Sequence, residues 1–333
     1  MEILEGKYNL RPFRPGDEKG ILNLWETAFK SNMDLDLFKW KYLENPYSKT
    51  MMLCVTDDSE IVTFYGGIPF KFQYNANIVH VVNLMDIMSH PDHRANKVFE
   101  KTAKQFIEYF CTPGNLLYMY GFPGKLHYSI GKKILDYKKI SNVSYFKAFP
   151  SELNNKKNIA DKMPVELEVI ENMEGLASEF DLLWESCKIY YPFSIVRDAS
   201  FVKWRFFDHP EKQYSVLRFI NSDDDSVTAY AVLIVNERKA TIVDLLLPDS
   251  QILFRQIINC ISEYVIELGL NLEEIDIWLP ENHFFTNHAL SSGFKKENEP
   301  TGIIPTVALY EHSPSLEWIK SNLYYNMGDG DLF

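Results

Sequence analysis

Residues 83–110 read NLMDIMSHPDHRANKVFEKTAKQFIEYF: an apolar strand that runs through a short basic turn straight into an amphipathic helix. Val98, Thr102, Ala103, Phe106, Ile107 and Phe110 recur at three-and-four spacing, so they share one helix face. The spacing puts the first helical turn at Arg94, Ala95, Asn96 and Lys97. Unpaired backbone amides and the positive end of the helix dipole gather at such a point, which makes it a place for a phosphate or pyrophosphate.

Working outward, the two halves of the chain repeat each other. Lys39-Trp40-Lys41-Tyr42-Leu43-Glu44-Asn45-Pro46 aligns with Lys203-Trp204-Arg205-Phe206-Phe207-Asp208-His209-Pro210. Upstream, Leu24-Trp25-Glu26-Thr27 matches Leu183-Trp184-Glu185-Ser186; downstream, Pro123 stands before Tyr137-Lys138-Lys139 as Pro280 stands before Phe294-Lys295-Lys296. Three anchors in one order imply a tandem duplication. Each half reads strand, helix, strands, helix, strand, helix, strand. In the first, strands are expected at 8–13, 51–55, 61–70, 79–88 and 116–120. Helices are expected around Ile21 to Ala28, with Asp17 as N-cap, after Arg94, and at 125–135. In the second, strands are expected at 166–170, 214–220, 228–235, 240–247 and 274–279, with helices at 176–186 and 250–268. The polar run SELNNKKNIADKM reads as a linker, giving domains at 1–150 and 164–333 joined by 151–163.

Composition narrows the function. A length of 333 residues suits two cores of roughly 100–200 residues each. The net charge of −12 argues against nucleic acid or an anionic membrane as partner and favours a cationic or neutral substrate. No run approaches the roughly 20 apolar residues of a membrane span. The N-terminus lacks the basic start and apolar stretch of a signal peptide, so cytoplasmic residence is the expectation. Cys54, Cys111, Cys187 and Cys260 are scattered without CxxC spacing, which predicts buried free thiols and no metal site. His283 and His288 lack the glutamate of a zincin motif and read as ordinary loop and helix residues.

At the turn the sequence resembles the GNAT superfamily of N-acetyltransferases, whose acyl-CoA signature follows a strand with Arg or Gln, two variable residues, Gly, one variable residue, and Gly or Ala. Arg94 fills the first place, Lys97 stands where the first glycine is expected, and Phe99 where the small residue is expected. The resemblance implies an α/β (α+β) protein of two tandem GNAT-like domains, each a mixed, mostly antiparallel sheet flanked by helices. It also implies acetyl-CoA as acyl donor, held by Ile87, Met88, Arg94, Ala95, Asn96, Lys97, Val98 and Phe99, with the amides of Ile87 and Met88 facing the thioester and pantetheine. Glycine in the third place after the arginine would allow a positive φ, which costs another residue roughly 1–2 kcal/mol.

The implied reaction is direct attack of an amine on the thioester in a ternary complex. An alkylamine with a pKa near 10 is only about one part in a thousand free base at pH 7, so a general base contributes, typically 10²- to 10⁴-fold. Asp86, on the strand beside the expected thioester, is the candidate base, although Asp244 occupies the like position in the second half. Family members often protonate the leaving thiolate with a Tyr in the helix after the next strand; Lys132 holds that register here, and His127 and Tyr128 one turn earlier are the candidates. N-myristoyltransferase, another tandem GNAT, uses its terminal carboxylate as base, so Phe333 or Asp331 becomes a further candidate, and deleting 328–333 should abolish transfer without unfolding the chain.

The second half lacks the arginine turn and offers Asp249 at the corresponding helix start, so it reads as a degenerate copy. Together these features predict an N-acyltransferase acting on an amine of a small molecule or amino sugar. The alternatives are a catalytically silent GNAT scaffold and a Fem-like aminoacyl transferase. Homodimerisation is left open.

Overall fold

A computed structural model of the chain describes residues 3–4, 7–154, 165–236, 238–270 and 272–330. The first half carries β1 (Ile3–Leu4), β2 (Tyr8–Pro12), α1 (Glu18–Phe29), α2 (Leu35–Tyr42), β3 (Thr50–Thr56), β4 (Ile61–Tyr74), β5 (Asn77–Leu84), β6 (Met88–Ser89), a 3-10 turn (Pro91–Asn96), α3 (Val98–Phe110), β7 (Leu116–Gly121), α4 (Lys125–Ile134) and β8 (Lys138–Lys139). There follow β9 (Ser144–Ala148), α5 (Pro150–Asn154), β10 (Val165–Ile170), α6 (Ala177–Cys187), β11 (Phe193–Ile195), α7 (Ala199–Val202) and a π turn (Lys203–Phe207). The remainder is β12 (Ser215–Asn221), β13 (Val227–Val235), β14 (Lys239–Leu246), α8 (Gln251–Glu267), β15 (Glu274–Leu279), α9 (Phe284–Ser292), β16 (Lys295–Asn298), β17 (Thr306–Ala308), α10 (Leu316–Asn322) and a 3-10 turn (Met327–Asp329).

Two compact units result. Unit 1 holds Met1–Phe72, Ile78–Ile140 and Pro305–Leu316; unit 2 holds Gln73–Asn77, Ser141–Ile304 and Glu317–Phe333. The change of unit falls at Ile140/Ser141, where the polar linker had suggested 150, because β9 pairs with β15 of unit 2. Residues 155–164 of that linker lie outside the described residues.

In unit 1 the sheet runs β1-β2-β3-β4-β5-β7-β17-β8, with β6 on β4. β5 and β7 pair in parallel, and β17, from late in the sequence, bonds to both β7 and β8. Its main core gathers Met52, Tyr65, Val82, Ala103, Phe106, Met119, Tyr137 and Ala308. The helix face read from 98, 102, 103, 106 and 110 is the buried one, and it carries Val98 into a second cluster with Tyr8, Leu10, Cys54 and Val62.

The sheet of unit 2 runs β10-β12-β13-β14-β15-β9-β16, again with one parallel pair, β14·β15. Its edge strand β10 alternates, and Glu168 there lies opposite Arg218, which bonds it at 2.6 Å. Both sheets are therefore mixed, mostly antiparallel and flanked by helices, as the element order implied. All four cysteines are free thiols; Cys54 and Cys187 are buried, while Cys111 and Cys260 are only half-buried. Among the described residues no helix is long and apolar enough to cross a membrane, and no His/Cys/Asp/Glu group could hold a metal ion.

Candidate functional site

Three pieces of unit 1 converge on the stretch that opened the sequence. The first is a split in the sheet. β5 lies between β4 and β7 and follows β7 in parallel up to Asn83 opposite Tyr120; beyond that the chain parts from β7 and stays on β4 as β6. One continuous strand over 79–88 was expected; it is broken because Asp86 takes a left-handed conformation with φ 55°. Gly121 marks the base of the split, since a Cβ there would lie 3.2 Å from Leu84 O.

The second piece is the turn. Helix α3 begins at Val98, four residues later than the spacing suggested, because 91–96 wind as a 3-10 turn. His90 accepts from Asp92 N through Nδ1, and Tyr8 Oη lies 2.9 Å from His93 Nδ1, so two histidines stitch the turn to the sheet. Lys97 caps the helix at φ 54°, ψ 22°. A left-handed residue is what the glycine place calls for, and here lysine adopts it. The first intrahelical bond from this end is Lys101 N to Lys97 O at 3.1 Å, so the amides of Val98, Phe99 and Glu100 stand at the open helix end. Arg94, Ala95 and Lys97 are exposed, and among the described residues Arg94 and Lys97 make no ion pair. Asn96 contributes the last residue of the 3-10 turn. The Val98 side chain is fully buried and Phe99 packs on the main core, so either could meet a ligand only through its backbone or, for Phe99, its ring edge.

The third piece is a group of residues on the main core of unit 1. Ile87 and Tyr128 are half-buried against the main core. His127, one residue before, sits near the Tyr137 ring at 6.4 Å between centroids, and burial lowers its pKa from the ordinary imidazole value. Tyr65 and Tyr137 bring their hydroxyls to 3.3 Å in the interior. Burial pushes Tyr137 up to about 12 and Tyr65 well above its ordinary value.

Two sequence expectations change. Met88 lies opposite Phe64, and two residues on His90 N–H donates to Val62 O at 2.8 Å. Residues two apart on an antiparallel strand point their amides the same way, so the Met88 amide faces β4 and is turned from the split. Ile87, outside the ladder, keeps its place beside the split. The candidate base is also engaged: Lys41 Nζ at 2.8 Å and Tyr42 Oη at 2.7 Å both donate to Asp86 Oδ2. Lys41 and Tyr42 were read only as part of the duplicated KWKY stretch, and that repeat was the signal for them. Phe333 and Asp331 lie outside the described residues.

Unit 2 has the same split, and it is filled. The β14·β15 register ends at Ile242 opposite Ile277. Beyond it Tyr324 Oη donates to Leu245 O at 2.7 Å and Tyr191 Oη to Leu247 O at 2.6 Å, while a Cβ at Gly328 would lie 2.8 Å from Val243 O. Asp244 accepts from Arg197 Nε at 2.9 Å, from Tyr230 Oη at 2.6 Å and from Asn326 Nδ2. Arg197 also bonds Asp329, and Arg205 donates to Gly328 O and Gly330 O at 3.0 and 2.9 Å. The helix start there is closed too, with Ser250 Oγ accepting from Leu253 N at 3.2 Å and Asp249 held by His288 at 2.9 Å.

Residues 9–130 match the sequence family described as Acetyltransferase (GNAT) domain. No curated protein matches the chain in sequence. In three dimensions it is similar to a conserved protein of unknown function from Enterococcus faecalis, with a TM-score of 0.71 at 9% identity over 92% of this chain and 73% of that one. A GCN5-related N-acetyltransferase from Anabaena variabilis gives 0.67 at 9% identity, covering 90% of this chain and 72% of that one. Saccharomyces cerevisiae N-myristoyltransferase with bound myristoyl-CoA gives 0.57 at 10% identity, covering 92% and 84%.

Proposed function

We propose that this chain, which has the GNAT fold and carries a GNAT acetyltransferase domain in its first half, is an acyl-CoA-dependent N-acyltransferase acting on an amine of a small molecule or amino sugar. The observation that carries the reading is the coincidence, within unit 1, of a sheet split, an open helix N-terminus and a left-handed residue at the glycine place of the signature. Acetyl-CoA is the proposed donor. Its pyrophosphate would lie against the amides of Val98 to Glu100, with Arg94 and Lys97 supplying positive charge. The pantetheine would enter the split, with the thioester carbonyl near the Ile87 amide.

In the proposed reaction the amine nitrogen attacks the acyl carbon, the new C–N bond forms and the C–S bond breaks. Asp86 is the proposed acceptor of the amine proton. Two donors on its Oδ2 hold the carboxylate in place, and orientation of the reactants would supply much of the rate. His127, kept neutral by burial, suits proton relay better than acid catalysis, which leaves Tyr128 as the proposed donor to the thiolate. Unit 2, with its split filled by Tyr324–Gly330, would serve as support.

Calorimetry with acetyl-CoA and CoA on the wild type and on Arg94→Ala tests this. Micromolar binding that is lost in the variant is expected. Absence of binding in the wild type would overturn the reading and point to a catalytically silent scaffold for another ligand or a protein.

A further inference from the structure

In unit 1 the duplicated KWKY stretch places a buried ammonium and a buried phenol on the residue that breaks the strand. Lys41 is 5% and Tyr42 2% exposed. Helix α2 fixes both. Asp34 caps its start, Asn45 Nδ2 holds Lys41 O at 2.9 Å, and the Tyr42 ring packs on Phe38 and Phe64. An ammonium buried to this degree needs a partner, and its partner is the carboxylate at φ 55°. In unit 2 the equivalent residue, Arg205, is again a buried cation, and there it fixes the segment that occupies the split.

We propose that Lys41 and Tyr42 are positioning residues: by clamping the Asp86 carboxylate they hold its left-handed turn, which keeps the chain on β4 as β6 and the gap beyond the last β5–β7 pair open for the pantetheine arm. The inference rests on the acyl-CoA reading above. Without the clamp, residues 86–88 are free to shift toward the end of β7 and close the gap, while the helix N-terminus at Val98 is untouched.

The test separates the two halves of CoA. Binding of adenosine 3′,5′-bisphosphate, which has no pantetheine, is compared with binding of CoA in the wild type, Lys41→Met, Lys41→Arg and Tyr42→Phe. Lys41→Met should bind the nucleotide as the wild type does but lose about tenfold or more for CoA. Lys41→Arg should recover part of the loss and Tyr42→Phe should show a smaller one. Unchanged CoA binding in Lys41→Met, or equal loss for both ligands in it and in Tyr42→Phe, overturns the proposal. Should Lys41→Met fail to fold, Tyr42→Phe decides by the same selectivity. If the wild type binds neither ligand, the acyl-CoA reading fails instead.

Discussion

Two residues of unit 1 sit in the left-handed region within a dozen positions of each other, Asp86 and Lys97. Aspartate tolerates that region better than most residues, and its carboxylate is tied down. Lysine has no such help, yet it takes a left-handed shape that glycine would adopt without steric cost. Titration singles out a residue in unit 2. Burial and the neighbouring Asp244 push Asp329 up to about 7, against the opposing pull of Arg197. The folded chain thus binds a proton that the unfolded chain has released above its ordinary pKa of 3.8. That contribution to stability is present below the ordinary pKa, is lost as pH rises toward 7, and amounts to roughly 4 kcal/mol if undiminished. Asp329→Asn should remove this slope: urea midpoints at pH 5 and pH 7.5 should lie closer together in the variant than in the wild type. An equal difference in both proteins would reject the assignment.

Elements show where the sequence speaks and where it falls silent. Helix α3 was legible because its buried residues follow helical spacing over a full 13 residues. Helix α2 was not, since eight residues with Trp40, Lys41 and Tyr42 all buried in succession present no single apolar stripe. Asp86, where the strand breaks, is held by side chains 44 and 45 residues away, which no local pattern records. β17, three residues long, is a strand only because β7 and β8 receive it. The C-terminal segment bears on one expectation. Gly328 O and Gly330 O accept from the Arg205 guanidinium, which is 2% exposed, so deleting 328–333 also strips partners from a buried cation. That deletion should destabilise the protein by roughly 3 kcal/mol, the scale of a buried charge stripped of partners. Deleting only 331–333 keeps those carbonyls and should cost less than the longer deletion. Thermal unfolding of the two truncations side by side checks this, and equal stability would contradict it.

At the scale of the whole molecule, the two units do not correspond to two lengths of sequence. Unit 1 takes β17 from residues 306–308, and unit 2 takes β9 from residues 144–148. A fragment of residues 1–150 would therefore carry β7 with a bare inner edge and β8 with no strand to pair with. It should lack the near-UV circular dichroism of packed aromatics and should aggregate, as uncovered edges do. A soluble fragment with native near-UV signal would contradict the strand exchange.

The late position of β17 also sets a timetable. Protein synthesis runs from the N-terminus, so the strand that separates β7 from β8, Thr306–Ala308, is made long after both of them. Until then the nascent first half can gather helix α3 onto β3 and β4, but its sheet cannot close. Pairing across some 190 residues is slow to find. A growing chain with an open edge is the kind of species that chaperones hold, and a ribosome-stalled chain ending before residue 305 would be expected to stay protease-sensitive throughout its first half.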